Sequence, residues 1–220
     1  MVKRRPSSKR WLQEHHDDPF VKEARVRGLR SRAALKLEQI QEKFALIGPG
    51  QTVVDLGAAP GGWSQMAAQL AGSAVGGSSG RVVAADLLDM APLAGVEFIQ
   101  GDFLDDAVYH RLCGLLPQGR AHVVLSDMAP NMTGIRAADQ GRGEGLAEAA
   151  FHFAETTLAP GGALVIKLFQ GPAFHELVGR ARGLFATAKV FKPPASRDRS
   201  AETYLIGRDF RPSNEDESCD

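Results

Sequence analysis

The sequence predicts an α/β fold built on a doubly wound sheet. After Gly50, short β-rich runs alternate with stretches that have helical spacing or composition. Two apolar runs, residues 122–126 and 162–166, each stop directly before a charged residue. The chain has 220 residues, of which 44% are hydrophobic, and this is enough for one domain with a full core. One sheet with charged residues at its strand ends is therefore expected.

The elements follow in order from these runs. A helix is expected over residues 32–44, where apolar positions recur at helical spacing before the first strand. Strands are predicted at residues 52–56, 81–86, 96–101, 122–127, 163–168, 188–191 and 203–206. Helices are predicted between them at residues 62–70, 146–158 and 173–184. Residues 72–80 are rich in Gly and Ser, and this composition indicates a surface insertion rather than a linker between domains.

Composition divides the chain into a basic N-terminal arm (residues 1–30), a main domain (residues 31–211) and an acidic tail (residues 212–220). The tail is expected to be disordered, because it has nothing to bury. No apolar stretch approaches the roughly 20 residues of a membrane span, and no apolar run follows the basic start, so a cytoplasmic protein is expected. The two cysteines lack metal-ligand spacing, and no metal site is expected.

The formal net charge of zero hides an uneven distribution. Positive charge is concentrated in the first segment, at Lys3, Arg4, Arg5, Lys9, Arg10, Lys22, Arg25, Arg27, Arg30, Arg32 and Lys36. Such an arm beside a crevice indicates a polyanionic partner, because Lys and Arg contacts to phosphate supply much of nucleic-acid affinity. A solvated, flexible terminus is the alternative that charge alone leaves open.

Asp127 and Lys167 directly follow buried runs, where a charge is costly unless it has a partner or a task. At the carboxyl ends of parallel strands, both would face the crevice in which open α/β sheets bind ligands. The loop of residues 55–63 joins the first strand to the first helix with glycines that allow close approach to a ligand. Its spacing differs from the dinucleotide pattern G-x-G-x-x-G.

Two further acids sharpen the prediction of a nucleoside site. Asp86 ends the second predicted strand, where it is placed to accept hydrogen bonds from ribose hydroxyls. Asp102 ends the third, beside Phe103, and a carboxylate with an aromatic ring suits an adenine base.

Together these segments resemble the S-adenosylmethionine-dependent methyltransferases, in which an acid after the second strand holds the ribose and one after the third meets the adenine. Four motifs resemble, more narrowly, the FtsJ (RrmJ, RlmE) family of ribosomal RNA 2′-O-methyltransferases. They are Asp55-Leu-Gly-Ala-Ala-Pro-Gly-Gly-Trp-Ser-Gln, Ser126-Asp-Met-Ala-Pro-Asn-Met-Thr-Gly, Val165-Ile-Lys-Leu-Phe-Gln-Gly and Lys192-Pro-Pro-Ala-Ser-Arg-Asp-Arg-Ser-Ala-Glu-Thr-Tyr. The resemblance covers about Asp18 to Phe210. It implies a Rossmann-like methyltransferase domain over residues 31–211, with a seven-stranded, mostly parallel sheet.

Matched one position at a time, the resemblance also implies the site residues. The implied cofactor contacts are Gly61, Trp63, Asp86, Asp102 and Asp127, and the implied catalytic residues are Lys167, Asp127, Lys36 and Glu202. A core role explains Trp63 equally well, and an ordinary strand-end salt bridge is the alternative for each charged catalytic residue. Leu35 stands where the family often has an aromatic residue.

The substrate implied by the resemblance is a uridine in the A loop of 23S rRNA, methylated within the large (50S) ribosomal subunit, with a monomer as the default state. A tRNA anticodon loop and a ribosome-assembly factor with weak turnover remain as alternatives. Several arginines are expected to meet RNA phosphates near the crevice, or else to be solvated surface charges. They are Arg25, Arg27, Arg30, Arg32, Arg197 and Arg199.

The implied reaction needs a ribose 2′-hydroxyl aligned with the S–CH₃ axis, and this hydroxyl must lose its proton. Lys167 can accept the proton only while it is neutral. In a second version Lys167 stays charged, orients the hydroxyl and stabilises developing negative charge, while the proton leaves through Asp127 or water. The sequence leaves both versions open. Glu202 is expected to orient a lysine or the ribose.

Overall fold

The computed structural model describes residues 18–74, 79–130, 133–134, 136–197 and 200–212. Its helices are α1 (Pro19–Val26), α2 (Ala33–Phe44), α3 (Gly62–Ala71), α4 (Asp106–Gly114), α5 (Arg136–Thr157) and α6 (Pro172–Leu184). Its strands are β1 (Thr52–Leu56), β2 (Arg81–Asp86), β3 (Val96–Gln100), β4 (Ala121–Ser126), β5 (Leu158–Phe169), β6 (Phe185–Phe191) and β7 (Glu202–Phe210). A short 3-10 helix, Pro117–Gly119, precedes β4.

The strands form one sheet in the order β3-β2-β1-β4-β5-β7-β6. Neighbouring strands from β3 to β5 are parallel, whereas β7 runs antiparallel to both β5 and β6. The order reverses between β1 and β4, and ligands bind at such a switch point in open α/β sheets. The predicted α/β class with a seven-stranded, mostly parallel sheet is confirmed.

Helices cover both faces of the sheet because alternate strand residues are apolar on each side. Val54 and Leu56 of β1 belong to the core cluster that contains Phe151 and Phe153 of α5. Val53 points to the opposite face, into the cluster formed with α2 and α3, which contains Ile40. Strands that are apolar on both faces are typical of a doubly wound sheet.

Three helices differ from the sequence prediction. Neither α1 nor α4 was predicted, although each begins with an aspartate N-cap: Asp18 accepts from the Phe20 N–H at 3.0 Å, and Asp105 from the Ala107 N–H at 2.9 Å. Helix α5 begins at Arg136, ten residues before the predicted start. The added turns contain three glycines, at positions 141, 143 and 145, which lower helix propensity. Tertiary packing therefore overrides local preference there.

Helix α1 lies inside the predicted N-terminal arm and packs on the domain. Ala24 is buried with Leu35 of α2 and with Ala195 of the segment before β7. Residues 1–17 of the predicted arm, residues 75–78 of the predicted insertion and residues 213–220 of the predicted tail lie outside the described residues. In the part of the chain that is described, no helix is both long and apolar enough to cross a membrane.

Candidate active site

A cavity of about 380 Å³ opens at the carboxyl ends of β1 to β4. It is lined by Gly57, Ala59, Ala85, Asp86, Leu87, Leu88, Gly101, Asp102, Phe103, Asp127, Met128, Ala129 and Leu146. Because the strand order is β3-β2-β1-β4, the loops after these strands follow one another along the cavity. Asp102 therefore marks one end, Asp127 the other, and Asp86 lies between them. We call this space the cofactor cavity.

The loop after β1 approaches the cavity closely because it contains glycine. Gly57 has φ +77°, and a Cβ at this position would come within 2.3 Å of Met128 Cγ. The Asp86 carboxylate ties this loop to the end of β2, since Oδ2 accepts from the Ala59 N–H and Oδ1 from the Leu88 N–H, each at 2.8 Å. The loop is thus held in a shape that leaves space for a ligand.

Asp102 and Phe103 form the β3 end of the cofactor cavity. Asp102 Oδ1 accepts from the Leu104 N–H at 3.0 Å, and the ring of Phe103 is buried against the core while it lines the cavity. Acceptors for an amino group and for hydroxyls thus stand beside an apolar ring. These acceptors and the apolar ring fit the nucleoside part of S-adenosylmethionine.

Gly61 and Trp63, two implied cofactor contacts, do not line this cavity. Gly61 is the N-cap of α3 with φ +102°. The Trp63 side chain is buried, and its indole N–H donates to the Ala33 carbonyl at 2.7 Å. The first N–H groups of a helix have no partner within the helix, so any contact of Trp63 with a ligand would use its main chain. Both contacts stay predictions.

The four implied catalytic residues lie close together, with the Asp127 carboxylate at their centre. Lys167 Nζ lies 3.1 Å from Asp127 Oδ1 and 2.5 Å from the Asp127 main-chain oxygen. Lys36 Nζ lies 3.9 Å from Asp127 Oδ2 and 2.9 Å from Glu202 Oε1. Lys36 and Lys167 are both buried. Two buried lysine side chains thus share one carboxylate.

Tyr204 is a fifth member of this cluster that the sequence analysis missed. Its hydroxyl donates to Asp127 Oδ1 at 2.6 Å and accepts from Lys36 Nζ at 3.0 Å. The antiparallel register places Tyr204 directly opposite Lys167, and Glu202 two residues earlier lies on the same side of β7. The alternation of Glu202 with Tyr204 was the signal in the sequence that could have identified it.

Electrostatics fixes the charge states of two members. Burial alone would raise the pKa of Asp127, but the positive charges of Lys167 and Lys36 and the Tyr204 hydroxyl hold that pKa below its ordinary value. The pKa of Tyr204 is raised well above its ordinary value, first by burial and then by the negative charges of Asp127 and Glu202. Asp127 is therefore an anion near neutral pH, and Tyr204 remains a hydrogen-bond donor.

A second cavity of about 480 Å³ lies beside the cluster. It is lined by Arg32, Ala33, Lys36, Arg197, Ser200 and Glu202. We call it the acceptor cavity. Because Asp127 lines the cofactor cavity while Lys36 and Glu202 line this one, the charged cluster lies between the two spaces.

Several arginines that were expected to meet phosphates have partners within the protein. Arg27 pairs with Glu23 and Glu38. Arg30 donates to the main-chain carbonyls of residues 60, 91 and 92, next to the cofactor loop. Arg25 is exposed on α1, and Arg199 lies outside the described residues. Contact with phosphate stays a prediction for all of them.

Asp55 is a buried carboxyl beneath the cofactor loop. Ser64 Oγ donates to its Oδ2 at 2.6 Å, while Oδ1 has no hydrogen-bond partner among the described residues. Burial raises the pKa of Asp55 to about 7, the Ser64 hydrogen bond lowers it, and the charges of Asp127 and Asp86 add to the rise. The sequence indicates no role for Asp55 beyond its place in the loop.

Comparison with known proteins also points to a methyltransferase. The chain matches the FtsJ-like methyltransferase family over residues 29–210. A relative from Magnetococcus marinus, named ribosomal RNA large subunit methyltransferase E, is 56% identical over 218 residues, covering 96% of this chain and 100% of the relative. A Legionella pneumophila relative of the same name is 52% identical over 209 residues, covering 95% of this chain and 99% of the relative.

A solved structure is also similar. The crystal structure of a ribosomal RNA methyltransferase from Plasmodium falciparum superimposes with a TM-score of 0.73 at 26% sequence identity. The match covers 84% of this chain and 100% of that chain.

Replacing Asp55 by asparagine should remove a pH dependence of stability. The folded protein holds the Asp55 proton more tightly than the unfolded chain does, because the pKa is raised to about 7. The contribution of Asp55 to the free energy of unfolding is therefore fully present below about pH 4 and is lost as the pH rises to about 7. Urea unfolding of the wild type should show a loss of roughly 2–3 kcal/mol between about pH 5 and pH 7 from this group. Asp55→Asn should lack this loss, because its amide oxygen can still accept from Ser64 and cannot ionise.

Asp106→Asn is the matched control, since it removes the same charge from an exposed position at the start of α4. It should retain the wild-type pH dependence. Parallel curves for Asp55→Asn and the wild type would show that Asp55 is ionised in the folded protein throughout this range.

Proposed function

The chain belongs to the FtsJ-like methyltransferase family, and from this premise we propose that it methylates the ribose 2′-hydroxyl of a uridine in the A loop of 23S rRNA. Its cofactor is S-adenosylmethionine. The names of the bacterial relatives support ribosomal RNA of the large subunit as the substrate class. We further propose that the protein acts in the cytoplasm, as a monomer, on the large ribosomal subunit rather than on free RNA.

One observation carries this proposal: the charged cluster separates two cavities. Methyl transfer needs two bound molecules whose reacting atoms meet in line, and positioning of this kind replaces entropy that would otherwise be lost in the encounter. The cofactor cavity provides acids and an aromatic ring suited to a nucleoside. The acceptor cavity is bordered by cations, as an RNA strand requires. The place where the two meet is the Asp127 carboxylate with its lysines.

The cofactor, when bound, supplies an electrophilic methyl group on a sulfonium. Asp86 and Asp102 would hold its ribose and its adenine. Asp127 would face its positive end with an ionised carboxylate, since the pKa of Asp127 is lowered. The residues present therefore fit the group.

We assign to Lys167 the role of acting on the ribose hydroxyl. It donates to two oxygens of Asp127, which is the geometry of an ammonium group bound to an anion. These contacts favour the version in which Lys167 orients the hydroxyl and stabilises negative charge that develops on its oxygen. The proton then leaves to Asp127 or to water. Lys36 and Glu202 position the ribose from the side of the acceptor cavity.

Methylation of three RNA preparations from cells that lack the enzyme tests the substrate. Labelled methyl is transferred from S-adenosylmethionine to large ribosomal subunits, protein-free 23S rRNA and bulk tRNA, and ribose methylation is then mapped. Label on the A-loop uridine in subunits is expected. Label on tRNA alone would keep the chemistry and overturn the substrate. Cofactor binding without label on any RNA would support a ribosome-assembly factor instead.

In the same assay, Lys167→Ala and Asp127→Ala should each reduce kcat by about 10²- to 10⁴-fold, the range typical of a group that handles a proton or developing charge. Glu202→Ala should lose only about tenfold, because it acts on Lys36 rather than on the hydroxyl. Equal losses at all positions would contradict this ranking. A Lys167→Arg variant that keeps the wild-type pH profile would exclude Lys167 as the base, since arginine stays charged.

Tyr204→Phe should lower kcat by about tenfold while the KM for the cofactor changes little. The hydroxyl is one of the groups that hold the pKa of Asp127 low, so its loss raises that pKa and moves the acidic limb of the pH–rate profile to higher pH. Tyr109→Phe is the matched control, because its hydroxyl bonds Thr156 Oγ1 far from the site. An unchanged pH profile in Tyr204→Phe would show that the hydroxyl only packs.

A further inference from the structure

Asp18 binds two arginines that line the acceptor cavity. Its Oδ2 atom contacts Arg32 Nη1 and lies 3.5 Å from Arg197 Nε. Its other oxygen, Oδ1, caps α1 by accepting from the Phe20 N–H. A carboxylate from the N-terminal segment thus offsets part of the positive charge that borders the acceptor cavity.

The two arginines are held very differently. Arg32 donates to both Asp18 Oδ2 and the Ala195 carbonyl, and its side chain is 14% exposed. Arg197 has a long ion pair with Asp18 that exceeds hydrogen-bond length, and its side chain is 30% exposed. Arg32 is therefore held in place by two partners. Arg197, in contrast, can leave Asp18 for another anion at a low cost in free energy.

The acceptor cavity has room for a nucleotide. Its volume of about 480 Å³ is within the usual range for small-molecule sites. Lys36 and Glu202, at its inner side, belong to the catalytic cluster, so a ribose placed there would carry its phosphate toward Arg197. A guanidinium group matches the geometry of a phosphodiester and binds it through a charge-assisted fork.

We propose that Arg197 binds a phosphodiester next to the ribose that is methylated, and that Asp18 is the internal counter-ion which Arg197 leaves when RNA binds. This inference rests on the proposed function, because it takes RNA as the acceptor. Asp18 pairs with Arg197 beside the acceptor cavity and competes with phosphate for it. The protein thus gives up part of its RNA affinity through this internal ion pair.

The proposal predicts a gain of RNA affinity from the loss of a charge. Asp18→Asn keeps the N-cap of α1, because asparagine is an equally good capping residue. It removes the competing anion, so the Kd for large ribosomal subunits, measured by fluorescence anisotropy of the labelled protein, should fall by about two- to fivefold. Arg197→Met should weaken binding and reduce the slope of log Kd against log salt concentration by about one.

The double variant makes the test specific. In an Arg197→Met background, Asp18→Asn should no longer change the Kd, because the competition acts through Arg197. Glu23→Gln is the matched control: it removes an acidic charge from α1 at the Arg27 ion pair, away from the acceptor cavity. Its Kd should stay at the wild-type value.

Weaker RNA binding in Asp18→Asn would overturn the proposal and show that Asp18 only positions the arginines. An unchanged Kd, or the same gain with and without Arg197, would also overturn it. Methyl transfer to subunits is measured in parallel. Normal transfer without an Asp18 effect contradicts this inference alone, whereas the Asp18 effect on subunit binding without methyl transfer contradicts the proposed function alone. Wild-type protein that does not bind large subunits contradicts both.

Discussion

The Asp127 carboxylate is the contact on which the active site depends. It receives Lys167 from β5, Lys36 from α2 and the Tyr204 hydroxyl from β7. Without this anion, two ammonium groups would be buried close together and would repel each other. A buried charge is costly without its partners. The packing of α2 on the sheet therefore also completes the site, because it brings Lys36 next to Asp127.

The antiparallel strand β7 is what allows the cluster to form. In a wholly parallel sheet, the first residues of a strand lie at the edge opposite to the cavity. Because β7 runs against β5, its first residues meet the last residues of β5, and Glu202 pairs with Phe169 while Tyr204 pairs with Lys167. The antiparallel direction of β7 thus brings Glu202 and Tyr204 to the same end of the sheet as Asp86 and Asp127.

The sequence predicted the sheet and its charged strand ends because these rest on local patterns. A charged residue after an apolar run is visible in a short window, as at Asp127 and Lys167. Tyr204 was missed because a buried aromatic residue in a strand looks like core, and its hydroxyl contact depends on the register with β5. The Asp18 contacts to Arg32 and Arg197 were missed because they join segments far apart in the chain. The catalytic and binding roles of the individual residues remain predictions.

Fewer arginines are available to bind RNA than the number of basic residues in the sequence indicates. Arg27 is paired with two glutamates, Arg30 with main-chain carbonyls, and Arg32 with Asp18 and Ala195. In a chain of zero net charge, such pairing lowers the sequence-independent attraction to any polyanion. A protein that modifies one nucleotide of a long RNA benefits from such pairing. Weak sequence-independent binding leaves the choice of target to the shape of the acceptor cavity. The cations that border this cavity then position the RNA backbone, and Arg32 is the one of these paired arginines that also lines the cavity.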